Sequence, residues 1–237
     1  MTELAITDPS NFFKIGALDF RDFIEKQEKV WMIIVNLADY LEKTVTRREL
    51  SQGGQSHPSV VIAGEKVKID GDVIIDPFVM LDAKLGPIWI GKGTKILAGT
   101  RIRGPALIGK NCQICGEVKN SIILDGAHSD HLSNYIGDSV VGQNCRLGCG
   151  TILSNRRFDR GEIKIRLGNK LIPTEMDRLG AILGDQVKTG CGAILGPGAL
   201  VGKNSWIGQK VMVKNEYVAK NILLTLKQNI KVKKIRS

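Results

Sequence analysis

From about residue 60 onward, aliphatic residues recur every six positions, a period that belongs to neither the α-helix nor the ordinary strand. Val61, Val67, Val73, Val79 and Leu85 open the beat. After a five-residue step it resumes at Ile90, Ile96, Ile102, Ile108 and Ile114. It returns at Leu183, Leu195, Val201, Ile207 and Val213, with Thr189 in the expected slot. Four positions after the aliphatic stands a small or β-branched residue: Thr94, Thr100, Ala106 and Cys112, later Ala193, Ala199, Ser205 and Val211. Each hexad predicts one short strand and one turn, and three hexads close a coil of about 18 residues. The aliphatic residue points inward and stacks on its equivalents one coil away. The expectation is an all-β solenoid, a parallel β-helix of hexapeptide repeats over 59–237.

Two segments leave the beat. Residues 19–45 carry Phe20, Phe23, Ile24, Trp31, Ile34 and Leu41 near helical spacing, with Asp19 placed to cap the helix. RRELSQGGQSHPS then reads as a linker, so 1–58 is expected to be a helical segment plus linker. Residues 156–180, RRFDRGEIKIRLGNKLIPTEMDRLG, contain no hexad and read as an extruded loop with a small hairpin. Long loops on a rigid scaffold often carry function.

Composition narrows the partners. Aromatics are only 5%, whereas glycine reaches 27 residues, which suits a narrow, turn-rich interior. The net charge of +10 favours anionic ligands such as phosphates, nucleotides or coenzyme A. The basic residues are dispersed, apart from the terminal KVKKIRS, and no nucleic-acid motif is visible, so no nucleic-acid partner is expected. The start, MTELAITDPS, lacks the features of a secretory signal, and VWMIIVNLADYL is too short and polar to span a bilayer. With five cysteines, an odd set, a reduced cytoplasmic setting and no membrane association are expected.

The cysteines do not predict a metal centre. Cys112 and Cys145 fall in the small inward slot and Cys115 where glycine often stands, so they read as packing. Three histidines, His57, His128 and His131, are too scattered for a metal-binding trio. His128 and His131 lie in DGAHSDHLSNY, where the beat lapses. After them run YIGDSVVGQNCRLGCGTILSN and then Asn155-Arg156-Arg157-Phe158-Asp159.

These strings, with EVKN at 117–120 and RLGAILGDQVKTGCGAILGPG at 178–198, carry a resemblance. From about 60 to 237 the chain resembles the acetyltransferase domain of the bacterial bifunctional enzyme that makes UDP-N-acetylglucosamine. It is still more similar to that domain of archaeal sugar-1-phosphate nucleotidylyltransferase/amino-sugar-1-phosphate acetyltransferases. The resemblance implies the left-handed form of the β-helix and a homotrimer with active sites between subunits. It implies acetyl-CoA as co-substrate, a phosphorylated amino sugar as acceptor, and no metal requirement. By matching position it makes His131 the general base and Asn155 an orienting side chain. Lys119 becomes a sugar-phosphate contact and Tyr135 a substrate contact. A second phosphate contact falls to Arg101 or Arg103, and Cys149 and Cys191 fall near coenzyme A. The family's histidine stands three residues before its tyrosine; here His131 and Tyr135 are four apart. Two other readings belong beside this one. A non-catalytic sugar-phosphate or nucleotide-sugar-binding subunit would partner a separate nucleotidylyltransferase and dock through the N-terminal helix. An acyltransferase acting on a hydroxyl would use a histidine base in the same way.

Overall fold

The computed structural model describes residues 6–51 and 53–233. It is an all-β solenoid, a parallel β-helix of about 10 turns. Face I is a 9-stranded parallel ladder from Gln55–Ser56 to Leu223–Leu224. Faces II and III belong to one 15-stranded sheet. Two strands, Arg101–Ile108 and Glu117–Ile123, run through the corner and join them. The first pairs with Met80–Asp82 at its start, on face II, and with Ile88–Ile90 at its end, on face III.

The six-residue beat is realised as stacked inward ladders. Ile90, Ile96, Ile102, Ile108 and Ile114 are all fully buried. The phase of the first run differs from the expectation. Ile69, Ile75 and Leu81 take the inward ladder, in register with Ile90, Ile96 and Ile102. Val67, Val73 and Val79 fill the corner slot that Ala106, Thr94 and Thr100 hold one or two coils later. Val61 and Leu85 face outward, 54% and 83% exposed. Both slots are apolar in these coils, so the period alone does not fix which is which.

The expected linker is also different: Glu49–Leu50 pairs with Val67–Ile69 and Gln55–Ser56 with Ile74–Ile75, so the first coil begins inside it. The helical stretch is two helices, α1 (Arg21–Glu25) and α2 (Met32–Thr44), not one. Between them the Val30 amide donates to the Thr7 carbonyl at 2.8 Å instead of to an earlier turn. Asp19 caps neither helix; its carboxylate accepts from Lys110 Nζ at 2.6 Å, on the β-helix. The KVKKIRS tail is described only to Lys233, where it is exposed; residues 234–237 and the first five residues of the chain lie outside the described range.

The helical segment covers face III. Outward positions there are apolar and buried: Trp89, Leu107, Ile122, Val140, Ile182 and Leu200. Phe12, Phe13, Trp31, Ile33, Leu37 and Leu41 pack onto them, joined by Ile163, Ile165 and Ile172 of the extruded loop. Each such side chain contributes roughly 1.5–3 kcal/mol on burial. The helices' apolar surface is thus used within the chain. One buried carboxylate ties cover to solenoid. Asp185, 6% exposed, accepts from the Lys14 amide at 2.7 Å and the Gln143 amide at 2.8 Å, while its own amide donates to the Phe12 carbonyl. Burial pushes its pKa up, opposed by those two amides.

Asp185→Ala strands two backbone donors and is expected to lower stability by about 2 kcal/mol. Urea denaturation measures this; an unchanged midpoint would show that the tie contributes nothing.

Candidate functional site

Residue alternation along face II decides which side chains face out. Ile102, Val118 and Ile136 are buried within the solenoid, so their neighbours project from it. Arg103, Lys119 and Gly137 are register partners on successive coils; so are Arg101, Glu117, Tyr135 and Ile152. Rungs in such a column lie about 4.8 Å apart. Gly137 shapes the third rung: a Cβ there would sit 2.6 Å from Tyr135 Oη. The Tyr135 ring therefore lies across the position that Arg103 and Lys119 fill on the two preceding coils.

A polar column borders this platform where face II turns into face III. Asn120 and Asp138 occupy the corner with φ of +44° and +47°. Asn and Asp tolerate this left-handed conformation better than most residues. Asn155 follows on the next coil, at the point where the extruded loop leaves; the loop returns with the Leu179 amide donating to the Asn155 carbonyl at 3.1 Å. The Asp138 side chain is only 3% exposed and has three donors around it. Asn120 Nδ2 donates at 2.6 Å, Lys119 Nζ stands at 3.5 Å, and Asn155 Nδ2 donates to the same carboxylate. A buried carboxylate needs such partners, and here they fix Asn155 and Lys119 in place.

Arg103 is paired with Glu117, yet its Nε is buried without a partner among the described residues. Buried orphan donors are uncommon and mark a place for an acceptor. Arg101 is more exposed and only 4.0 Å from Asp82, so of the two candidate arginines Arg103 is the one in the cluster. Burial raises the Tyr135 phenol pKa first; the Asp138 and Glu117 charges add to it, and Arg103 and a hydrogen bond with Asn155 oppose it.

Arg103, Lys119, Tyr135 and Asn155 are thus brought together, and Glu117, Asn120 and Asp138 complete the set. Sequence reasoning missed these three: Asp138 after Ile136-Gly137 looks like any turn residue of the repeat. The structure does not bring His131, Cys149 and Cys191 into this cluster. They lie on the opposite corner of face II, where face I enters it, about 10 Å away across a three-residue strand. His131 is exposed in the turn that leads into Tyr135–Gly137, and its imidazole makes no hydrogen bond or ion pair among the described residues. The seven-residue step from Ser129 to Ile136 places its surplus residue in that turn, where no strand alternation is disturbed. Ser133 Oγ of the same turn is 3.3 Å from Cys149 Sγ. Cys191 is one coil further, the Gly192 amide donating to the Cys149 carbonyl at 2.7 Å; both thiols are exposed. His128 stands apart, 3.6 Å from Asp130. Cys112 and Cys145 are buried, their thiols donating at 3.2 Å to the Leu124 and Gly184 carbonyls, and burial pushes Cys112 up to about 12.

No protein-family profile matches the chain. Its homologues are bifunctional nucleotidylyltransferase/acetyltransferases. It is 34% identical over 213 residues to the bifunctional sugar-1-phosphate nucleotidylyltransferase/acetyltransferase of Sulfurisphaera tokodaii, 83% of this chain and 48% of that protein. It is 45% identical over 82 residues to the bifunctional protein GlmU of Methanocaldococcus jannaschii, 35% of this chain and 20% of that protein. The chain therefore spans less than half the length of these curated relatives. Among solved structures, a UDP-N-acetylglucosamine acyltransferase matches at 17% identity and a TM-score of 0.45, over 74% of this chain and 70% of that one. No helix of the described residues is long and apolar enough to cross a membrane.

Asp138→Asn removes a negative charge beside the Tyr135 phenol, so one of the three tyrosines is expected to ionise at lower pH. Ultraviolet titration reads this, with Tyr135→Phe identifying the transition. Identical curves for Asp138→Asn and the parent would break the cluster apart.

Proposed function

We propose that this chain is a coenzyme A-dependent N-acetyltransferase that acetylates a phosphorylated amino sugar of the glucosamine 1-phosphate class. The observation that carries the reading is the face II platform. Two cations on adjacent rungs, Arg103 with an unpaired buried Nε and Lys119, stand beside Tyr135 and an Asn155 held by Asp138. Arg and Lys suit a phosphate, and Tyr135 and Asn155 suit sugar hydroxyl groups. The acetyltransferase half of the homologues' name supports the same reaction.

An ammonium group cannot attack a thioester. His131 takes its proton, since no side chain among the described residues holds the imidazole. The amine then adds to the thioester carbonyl, the C–S bond breaks, and the proton from the amine reaches the departing thiolate, giving the amide and free coenzyme A. Cys149 and Cys191 line the same corner as His131, which is where the thioester must approach. The gap between the two corners is bridged by the substrate itself. A homotrimer would supply the second wall of the cleft and keep water from the thioester. Five free cysteines, two of them exposed, suit a cytoplasmic setting.

Acetyl-CoA consumption with a thiol reagent tests the activity on a panel of amino-sugar phosphates. His131→Ala is expected to lower kcat by about two to four orders of magnitude, with KM for the sugar little changed. Lys119→Ala is expected to raise that KM. No thiol release with any amino sugar would refute the enzyme and favour the non-catalytic binding subunit.

A further inference from the structure

The corner that holds His131 also holds two thiols on neighbouring coils. Ser129, Leu147 and Thr189 are register partners on successive rungs. Two residues past each, the column reads His131, Cys149 and Cys191. Cys149 and Cys191 stand at the same point of the same kind of turn, each followed by a glycine of positive φ, +71° at Gly150 and +69° at Gly192. The turns stack directly. The Gly192 amide donates to the Cys149 carbonyl at 2.7 Å, and a Cβ on Gly148 would sit 2.9 Å from the Cys191 nitrogen. In-register rungs put the two cysteine Cα atoms about 4.8 Å apart, inside the usual disulfide span of about 4.4–6.8 Å. Because the turns share one backbone conformation, the two Cα–Cβ bonds point the same way and not apart. Closing a disulfide asks each side chain to lean toward the other by about a few tenths of an ångström.

The other three cysteines differ. Cys112, Cys115 and Cys145 are buried, and their thiols face backbone carbonyls. Cys149 and Cys191 are exposed; Cys149 Sγ meets the Ser133 hydroxyl, and Cys191 Sγ has no hydrogen-bond partner among the described residues. The five cysteines thus divide into three packing residues and one accessible pair. We propose that Cys149 and Cys191 are a peroxide-sensitive dithiol that closes into a reversible disulfide. One sulfur, as thiolate, attacks a peroxide oxygen and the O–O bond breaks. The proton that the thiol gave up joins the departing hydroxide, leaving a sulfenic acid and water. The second sulfur attacks the sulfenic sulfur, the S–O bond breaks, and the second thiol's proton leaves with that hydroxyl as water. Two thiols and one hydrogen peroxide give one disulfide and two waters. A thiol reductant reverses the bond by exchange. The bond has a structural consequence. The chain between Cys149 and Cys191 carries Asn155 and the extruded loop, which lies beside face II and encloses a groove of about 680 Å³ with it. A disulfide at the base staples that whole excursion, restricting the unfolded chain more than the folded one.

Hydrogen peroxide treatment of the native full chain, quenched by alkylation in denaturant and followed by non-reducing peptide mapping, reads the pair directly. One link within the chain is expected between the Cys149 and Cys191 peptides, with the loss of two hydrogen atoms and reversal by dithiothreitol. Oxidation is also expected to raise the thermal midpoint by several degrees in the parent, and not in Cys149→Ser or Cys191→Ser. Each variant exchanges sulfur for oxygen on an exposed turn, so the fold is expected to survive, and the midpoint of the reduced protein verifies this. Links between chains, sulfinic acid on either cysteine without a link, or an unchanged midpoint after complete closure would overturn the proposal. No step uses acetyl-CoA, so a failure of the proposed acetyl transfer would leave this result untouched.

Discussion

Inward stacking of one aliphatic side chain per hexad is the constraint on which the rest of this molecule depends. Each rung must sit in register about 4.8 Å from the next, or its side chain leaves the interior and the whole face is turned inside out. That requirement fixes the outward positions as firmly as the inward ones. Every outward residue has a partner directly above and below it, so function is laid out in columns. Arg103, Lys119 and the Tyr135 ring form one such column, Asn120, Asp138 and Asn155 another. A cluster of polar side chains on this scaffold does not need a folded cleft; it needs the right residues at the same phase of consecutive coils.

Face III shows the same rule used for stability instead of chemistry. Its outward column is apolar from Trp89 to Leu200, and the helical segment covers it. The extruded loop shares that hydrophobic layer through Ile163, Ile165 and Ile172. The loop is therefore anchored on one side by the cover and on the other by Asn155. Its position beside face II is a consequence of burial on face III, which is how a stability device comes to form one wall of a groove next to the platform.

The period, and with it the fold, could be read from the chain because it repeats many times. Where it repeats with two apolar slots, as at Val67, Val73 and Val79, the phase could not be read, because hydrophobicity alone does not separate the inward rung from the corner. The helical cover was legible as helix but not as cover: the doubled aliphatics Leu107-Ile108, Ile122-Ile123 and Val140-Val141 were the available signal, since an outward apolar residue repeated in register must be hidden by something. Lys119, Tyr135 and Asn155 were found through the resemblance, and the structure places them together with Arg103. Asp138 was invisible because its role arises only from neighbours one coil away. The extra residue before Tyr135 proves harmless to the strand pattern because it falls in a turn, which sequence spacing could not show.

The proposed site places Arg103, Lys119, Tyr135 and Asn155 at its sugar end, across adjacent coils. A crystal structure of the chain with a phosphorylated amino sugar tests it most directly. The phosphate is expected at Arg103 Nε and Lys119 Nζ, the sugar against the Tyr135 ring, and its amine directed across face II toward the His131 corner. A sugar phosphate bound elsewhere, with Arg103 still paired to Glu117 and its Nε still empty, would contradict it.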